Sequence, residues 1–442
     1  MLYFVLSIVI RIALKIFFRK ITIHGKENIP DTQPLIVIGN HPNTFMDPIL
    51  AALVILPRQV HFLANGSIFK TAAARAVLNQ FNTIPVYRKQ DITDNRDEKN
   101  LSAFQKCFEF LTGGGILLVF PEGNSINERK LRPIKTGTAR IALEVEQQQD
   151  FKLPLKLLPI GLNYSNPTRF RESVEINIGK AFEVKSYQNQ YQHDPVGAVN
   201  ALTKEIQQRL AELIVITQDK EADDLVRKIE LIYKKQISID STLKNLNVNL
   251  TQNIIKALHY FQDTDPKLVR EVKEKIDNYF AIIKEFKVSD YLIEKSEKIG
   301  IGKLIRYIMY FISGFPIYIT GLFFNYIPFI IPSKIARWIS SDEEYRAPIM
   351  MTAGIFTFPL YYTLMYILGW HIAPTLYTLL VLTAIMPLTG FFVLQYYKRL
   401  RNSRSTFAYY RIFKKEKNAL QWFSQQRQEI ITLLESAQQQ YR

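Results

Sequence analysis

The sequence predicts an α/β domain with a mostly parallel sheet flanked by helices, followed by a charged helical region and by C-terminal transmembrane helices. Two observations support this order. Between residues 21 and 213, short apolar runs alternate with segments of helical periodicity, which is typical of α/β layers. Beyond residue 300, two uncharged segments, 349–370 and 375–397, each exceed the ~20 apolar residues that a membrane-crossing helix needs.

The α/β domain is predicted to contain five strands and four helices. Apolar runs bounded by turn residues mark the strands, and apolar positions three and four residues apart mark the helices. The predicted strands are 35–39, 61–64, 83–86, 116–120 and 156–163, and the predicted helices are 47–55, 68–80, 100–111 and 136–146. Because a helix usually separates one strand from the next, most strands are expected to run parallel.

Residues 1–20 are predicted to form an anchoring helix in the membrane interface. The segment is apolar, but Arg11, Lys15 and Arg19 recur every four residues and would share one helix face. A helix with a basic stripe and an apolar remainder lies in the plane of the interface, and a tilted spanning helix is the alternative. No small-residue cleavage site follows, so an ordinary signal peptide is not predicted.

The C-terminal half divides into a helical region, a membrane region and a tail. Residues 214–300 carry charged and apolar residues at helical spacing, residues 301–400 hold the two spans, and residues 401–442 form a basic, polar tail. A third uncharged stretch, 307–332, is interrupted by prolines and glycines and is predicted to be re-entrant.

The basic residues after the second span predict which side of the membrane the tail occupies. Lys398, Arg399, Arg401 and Arg404 follow residue 397, and positive flanks stay in the cytoplasm. An α/β domain on the cytoplasmic face and a cytoplasmic tail together require an even number of crossings. Two full crossings are therefore expected, joined by a tight outer turn.

The composition restricts the partners and the kinds of site. The net charge of +16 points to anionic partners, which include nucleic acid, phospholipid and phosphorylated small molecules. Nucleic acid is the poorest candidate, because the positive charge is scattered and the chain has membrane segments. Cys107 is the single cysteine, so an intrachain disulfide is impossible. No metal-ligand cluster is found, and no metal is predicted.

The most informative segment runs from Gly39 to Pro48 and contains His41 and Asp47. It follows a predicted strand and opens a predicted helix, so His41 lies at the carboxyl edge of the sheet, where ligands bind in such folds. A carboxylate on one imidazole nitrogen fixes the tautomer, so that the other nitrogen can deprotonate an alcohol. Taken alone, the pair is equally compatible with a helix N-cap beside a surface histidine.

Three further segments follow in order. Arg88 ends the strand of an Ile-Pro-Val-Tyr-Arg sequence, and arginine binds phosphate as a fork. Glu122 and Gly123 stand in Phe-Pro-Glu-Gly, and Lys135 lies nearby at a predicted helix start, a setting suited to a phosphate. Pro159 lies in an apolar strand. Each alone is also compatible with a solvated strand end, a solvated basic loop or a buried strand, respectively.

Together these four segments resemble the four blocks of the glycerolipid acyltransferase superfamily, over about residues 21–180. The resemblance implies that His41 is the general base and that Asp47 orients it. It also implies that Arg88, Glu122 and Gly123 bind the phosphorylated acceptor, that Lys135 belongs to the family's Lys-x-Gly helix start, and that Pro159 belongs to the fourth block, which is a candidate for the acyl donor.

Two departures from the usual family pattern narrow the resemblance. Five residues separate His41 from Asp47 instead of four, and Asn124-Ser125-Ile126 follows Glu-Gly in place of Thr-Arg-Ser, so that arginine is missing. Both departures resemble the fungal-type glycerol-3-phosphate and dihydroxyacetone-phosphate acyltransferases. Arg129, Lys130 or Arg132 could supply the charge of the missing arginine.

The resemblance predicts a membrane enzyme that moves an acyl group to glycerol 3-phosphate or dihydroxyacetone phosphate in phospholipid synthesis. The expected partners are the phospholipid bilayer, the phosphorylated glycerol acceptor, and acyl-coenzyme A or acyl carrier protein as co-substrate, with no further cofactor. A lysophosphatidate or other lysophospholipid acyltransferase is the alternative reaction. A non-catalytic lipid-binding module would not need a base–carboxylate pair, and a hydrolase would need a serine elbow that the sequence lacks.

Overall fold

The structure is a computed structural model that describes residues 2–31, 34–69, 71–80, 82–87, 96–237, 247–294, 301–413 and 417–441. The chain divides into two compact units. Unit 1 comprises Met1–Ile216 and Ser333–Ile355, and unit 2 comprises Thr217–Pro332 and Phe356–Arg442.

Unit 1 is built on one sheet, to which eight strands contribute within the described residues. The strands are Lys20–His24 (β1), Leu35–Gly39 (β2), Val60–Asn65 (β3), Thr83–Val86 (β4), Ile116–Val119 (β5), Lys156–Tyr164 (β6), Ser173–Ile178 (β7) and Phe182–Glu183 (β8). Their order is β1-β7-β6-β2-β5-β3-β4, and β8 pairs with the start of β6. The strands from β6 to β4 all run parallel, whereas β7 and β8 run antiparallel to β6. The predicted mostly parallel sheet is confirmed.

Helices cover both faces of this sheet. They are Leu2–Phe17 (α1), Met46–Ile55 (α2), Ala72–Gln80 (α3), Arg96–Thr112 (α4), Gly137–Gln148 (α5), Gln188–His193 (α6) and Pro195–Ala211 (α7). Ile36 and Ile38 of β2 pack in a core with α4, α5 and α7. Leu35 and Val37 point to the opposite face, in a core with α1, α2 and residues 347–351. The buried, uniformly apolar strand is what a parallel sheet covered on both sides requires.

The predicted strands and helices match observed ones to within a few residues, but β8, α6 and α7 were not predicted, and neither were the strands β1 and β7. Both alternate polar and apolar residues, as in Ser173–Ile178, where alternate side chains are buried. Strands at the antiparallel end of a sheet can bury one side only, so a search for continuous apolar runs overlooks them.

The remaining helices lie wholly or partly in unit 2. They are Lys220–Ile237 (α8), Asn247–Thr264 (α9), Pro266–Glu285 (α10), Asp290–Glu294 (α11), Ile301–Ile339 (α12), Arg346–Ile372 (α13), Leu376–Phe413 (α14) and Lys417–Tyr441 (α15). Helices α8 to α11 fall in the charged region for which the sequence predicts helices. A core of their apolar faces with α15 and the end of α14 contains Ile232, Ile276 and Ile431. The Arg427 guanidinium crosses this core to Asp290 at 2.9 Å.

Three helical segments in the described residues are long and apolar enough to cross a membrane: Leu304–Ile339, Glu343–Ile372 and Leu376–Ile412. The first differs from the predicted re-entrant segment, because α12 runs without a break through Pro316, Pro328 and Pro332. Proline is tolerated in such a helix where a neighbour satisfies the carbonyl that the missing N–H leaves unpaired. The carbonyl four residues before Pro332 is that of Pro328, and it accepts a hydrogen bond from Thr357 Oγ1 at 3.2 Å.

Candidate active site

His41 and Asp47 lie on the turn that joins β2 to α2, at the carboxyl edge of the parallel strands. Strand β2 ends at Gly39, and Asp47 lies in the first turn of α2. Asn40 fixes the start of the turn, because its side chain exchanges two hydrogen bonds with the backbone of Leu162 in β6. The sequence-based placement of the pair is therefore the one observed.

The Asp47 carboxylate is fully buried and is held by three donors. Oδ2 accepts from His41 Nδ1 at 2.9 Å and from the backbone N–H of Asn43 at 2.6 Å. Oδ1 accepts from the Tyr164 hydroxyl at 2.5 Å. Because a carboxylate can only accept, Nδ1 of His41 carries the proton, and Nε2 is the nitrogen that can take another.

Tyr164 was not predicted as part of the site. It is the last residue of β6, and burial together with the charge of Asp47 raises the pKa of its hydroxyl well above its usual value. The hydroxyl therefore stays protonated and serves as a permanent donor to Asp47. Nothing in the local sequence distinguishes this tyrosine, because the partner that gives it a role is 117 residues away.

The extra residue between His41 and Asp47 is accommodated by strained backbone at Thr44. Its φ is 22°, in the range that residues with a side chain rarely adopt. Two contacts hold it there: its N–H donates to Ser125 Oγ at 2.8 Å, and its Oγ1 donates to the carbonyl of Glu344 at 2.9 Å. Ser125, which stands where the usual family pattern has an arginine, thus supports the lengthened turn between His41 and Asp47.

Glu122 braces the backbone under the site. One carboxylate oxygen accepts from the N–H of His41 at 2.9 Å, and the other accepts from the N–H of Arg132 at 3.2 Å. Burial raises the pKa of Glu122, and these two hydrogen bonds and the nearby charges of Arg132 and His41 oppose that rise. The ring of Phe120 stacks on His41 with centroids 4.2 Å apart. The Glu122 carboxylate therefore contacts His41 at the backbone N–H of the histidine.

Gly123 and Lys135 lie together, as their motifs suggested. Gly123 has a φ of 74°, which favours glycine, and the Lys135 side chain passes over it, because a Cβ built on Gly123 would lie 2.5 Å from Lys135 Nζ. The N–H of Lys135 donates to the Pro121 carbonyl at 2.9 Å, and that of Gly123 donates to Phe120 at 3.1 Å. These bonds fix the backbone of both residues, and the Lys135 ammonium group lies over Gly123, in the loop that carries Glu122.

Arg132 brings a second cation to this loop. Its Nη1 is buried and finds no hydrogen-bond partner among the residues that the structure describes. An unpaired buried donor on a charged group is costly, so this position favours an anionic ligand.

Two further predicted site residues are Arg88 and Pro159. Arg88 lies outside the described residues; β4, which precedes it, is three strands from β2, or about 14 Å at the usual strand spacing. A cavity of about 230 Å³ beside β4 is lined by Arg75, Lys106 and Tyr87, among others. Pro159 is buried inside β6, opposite Ile38 of β2. Within the described residues, no group of three or more His, Cys, Asp or Glu side chains could hold a metal.

Comparisons with known proteins find similarity to acyltransferases. Residues 20–163 match the family model described as Acyltransferase. Glycerol-3-phosphate O-acyltransferase 1 of Saccharomyces cerevisiae is 26% identical over 351 residues, which cover 77% of this chain and 45% of the yeast protein. The 1-acyl-sn-glycerol-3-phosphate acyltransferase of Bacillus subtilis is 25% identical over 44% of this chain and 87% of its own length.

A solved structure is also similar. The 1-acyl-sn-glycerophosphate acyltransferase of Thermotoga maritima matches 47% of this chain and 81% of its own, at 18% identity and a TM-score of 0.31. The chain spans less than half the length of the yeast relative. The predicted relationship to the glycerolipid acyltransferases is confirmed by the family match and by these relatives. The chain is thus similar to acyltransferases, and residues 20–163 are the part that matches the family model.

Proposed function

We propose that this chain transfers a fatty acyl group from a thioester, on coenzyme A or acyl carrier protein, to a hydroxyl of glycerol 3-phosphate or dihydroxyacetone phosphate. The observation that carries the proposal is the His41–Asp47 pair. An imidazole held by a buried carboxylate at 2.9 Å, with its other nitrogen directed away from that carboxylate, is the arrangement that general-base catalysis on an alcohol needs.

In this mechanism His41 Nε2 takes the proton of the acceptor hydroxyl as its oxygen attacks the thioester carbonyl. The tetrahedral intermediate then collapses, the carbon–sulfur bond breaks, and the imidazolium returns the proton to the departing thiolate. Asp47 stabilises the imidazolium between these two steps, and Tyr164 and Asn43 keep Asp47 in place. No nucleophilic side chain is needed.

The acceptor's phosphate is proposed to bind the cations of the Glu122 loop. Arg132 has the buried unpaired Nη1, and Lys135 is held over Gly123. Arg132 is the better candidate for the charge of the missing family arginine, because its guanidinium is close enough to Glu122 to affect the pKa of that carboxyl. The role of Arg88 at the same phosphate and that of Pro159 at the acyl donor stay predictions.

The relatives favour glycerol 3-phosphate as the acceptor. Similarity to the yeast protein named as a glycerol-3-phosphate acyltransferase extends over 77% of this chain, well past the residues that match the family model. Similarity to the Bacillus protein named as a 1-acylglycerol-3-phosphate acyltransferase covers 44%. The second acylation, of lysophosphatidate, is therefore the alternative.

An acceptor panel tests the proposal. The purified full-length chain is offered glycerol 3-phosphate, dihydroxyacetone phosphate and 1-acylglycerol 3-phosphate, each with acyl-coenzyme A and with acyl-acyl carrier protein. The highest kcat/KM is expected with glycerol 3-phosphate or dihydroxyacetone phosphate. A clear preference for 1-acylglycerol 3-phosphate would select the alternative reaction, and no transfer to any acceptor would favour a lipid-binding module.

The catalytic domain is proposed to face the cytoplasm, where the donor and the acceptor are found. The cations Lys398, Arg399, Arg401 and Arg404 support a cytoplasmic position for the last turns of α14. Cysteines placed at Ser341 and Arg401, both exposed, test this orientation by labelling from either side. Labelling of Ser341→Cys from the outer face would contradict it.

A further inference from the structure

Two large apolar side chains are exposed at the rim of the candidate active site. Phe45, in the turn between His41 and Asp47, is 42% exposed, and Ile126, in the loop after Glu122, is 43% exposed. The two loops are joined, because the N–H of Thr44 donates to Ser125 Oγ at 2.8 Å. We call Phe45 and Ile126 together the apolar rim. Isolated exposed apolar residues are common, but here two lie on linked loops beside the catalytic pair.

The same turn is attached to the start of a candidate membrane span. Thr44 Oγ1 donates to the carbonyl of Glu344 at 2.9 Å, and the span Glu343–Ile372 begins there. The first turns of α13 are fixed to the domain, since Ala347 and Met351 are buried in the core that contains α2. After Arg346 the helix carries no charged residue up to its end at Ile372. The apolar rim therefore lies beside the residues at which a charged loop gives way to an uncharged candidate membrane span.

Helix α1 reaches the same edge of the sheet. Phe18, which follows α1, packs on Tyr164 with ring centroids 6.1 Å apart, and Tyr164 is the residue that donates to Asp47. Leu14 is buried in the domain, while a further apolar stripe of α1 is exposed. The exposed stripe comprises Ile8, Val9, Ile12 and Ile16. An apolar stripe beside the basic residues Arg11 and Lys15 suits a helix that lies in the membrane interface.

We propose that this edge of unit 1 docks on one leaflet of a phospholipid bilayer, with Phe45 and Ile126 inserted among the lipid chains. The bilayer is the occupant because the rim adjoins the start of a candidate span and α1 adds a second interfacial element at the same edge. The benefit of this insertion rests on the proposed function, because a long acyl chain can then pass between the leaflet and His41 without crossing water.

Depth measurement tests the docking directly. Cys107, which is buried, is first replaced by alanine, and single cysteines are then introduced as Phe45→Cys or Ile126→Cys in the full-length chain. Each is labelled with the environment-sensitive fluorophore NBD and reconstituted in nanodiscs of phosphatidylcholine and phosphatidylglycerol. The matched control is Val196→Cys, because Val196 is an apolar side chain that is 72% exposed at the start of α7, on the face of the sheet opposite α1 and α2.

The expected result is blue-shifted emission at positions 45 and 126, quenched by nitroxides attached to the lipid chains and protected from aqueous iodide. The probe at position 196 should show the reverse. The proposal is overturned if both rim probes are quenched by iodide as readily as the probe at position 196. Either rim position suffices if the other variant does not fold.

A kinetic measurement supplies the second readout. Phe45→Ser with Ile126→Ser is expected to raise the KM for a long-chain acyl-coenzyme A by about tenfold or more, since each side chain loses its apolar burial. The KM for a short, water-soluble acyl-coenzyme A should not change. An equal effect on both donors would contradict the insertion. The depth measurement requires no turnover, so inserted probes in a chain without acyl transfer would refute only the proposed function.

Discussion

Replacing Asp47 by asparagine tests whether the carboxylate contributes charge to the reaction as well as geometry. The substitution keeps the size of the side chain, and the amide oxygen can still accept from His41 Nδ1 and from the Asn43 N–H at the position of Oδ2. The amide nitrogen then faces the Tyr164 hydroxyl, which can rotate to accept. The hydrogen-bond geometry is therefore largely retained, while the negative charge beside the imidazolium is lost.

The size of the effect follows from that charge. Two unit charges about 4 Å apart interact by about 4 kcal/mol at an effective dielectric constant of about 20. Loss of this stabilisation from the transition state lowers the rate by about 10³-fold. This expected decrease in rate lies within the ~10²–10⁴-fold contribution that general-base catalysis typically makes. The decrease is expected in kcat, since Asp47 is buried behind His41 and has no direct contact with the acceptor.

The assay compares kcat and KM of the wild-type chain and Asp47→Asn in nanodiscs with acyl-coenzyme A and glycerol 3-phosphate. Glu146→Gln is the matched control, because Glu146 is another fully buried carboxylate of the domain, bonded to the N–H of Leu155 on the face of α5 and α7. It should keep a kcat close to the wild-type value. A kcat for Asp47→Asn within threefold of wild type would refute the electrostatic role.

Three further changes have defined outcomes. Arg132→Lys keeps a charge but loses the forked donor, so the KM for glycerol 3-phosphate should rise about tenfold or more with kcat little changed. The control is Arg140→Lys, on the exposed side of α5. An unchanged KM in Arg132→Lys would exclude the phosphate contact. Burial raises the folded-state pKa of Glu122 above its usual 4.5, so the melting temperature of the wild type should fall relative to that of Glu122→Gln as pH rises from 4.5 through that raised pKa. A melting temperature of the wild type that rises with pH relative to that of Glu122→Gln would contradict the sign. Asn325→Leu removes two hydrogen bonds between helices: Nδ2 donates to the Met386 carbonyl of α14 at 2.9 Å, and the Tyr362 hydroxyl of α13 donates to Oδ1 at 2.6 Å. The substitution should lower the free energy of unfolding by about 1–2 kcal/mol and leave the KM for glycerol 3-phosphate unaltered. An unchanged melting temperature would show that these bonds are dispensable.

The carboxyl-edge location of the site could be predicted from sequence because it depends on local signals. An apolar run, a turn with His41, and a helix that contains Asp47 are all within twenty residues of the chain. Parallel strands joined by helices then bring the Phe-Pro-Glu-Gly loop to the same edge without knowledge of the strand order. The pairing of His41 with Asp47 needed only the spacing along one turn.

The parts that were missed depend on contacts between distant residues. Tyr164 acquires its role from Asp47, and Thr44 keeps its strained backbone through a hydrogen bond to Glu344, 300 residues away. The re-entrant segment was predicted because prolines usually interrupt helices. Within an apolar helix, Thr357 supplies the hydrogen bond that Pro332 cannot make, so the helix continues. None of these partners is identifiable from the local sequence.

The central claim is that His41 is the general base, and His41→Gln tests it most directly. Glutamine can still bond Asp47, but it cannot take the proton of the acceptor hydroxyl. The control is His24→Gln, since His24 pairs with Glu175 at 2.9 Å on β1 and β7. The account predicts that kcat for acyl transfer falls at least 10²–10⁴-fold in His41→Gln, with a melting temperature close to wild type, and that His24→Gln keeps its kcat. Turnover by a folded His41→Gln chain above one tenth of the wild-type value would contradict the account.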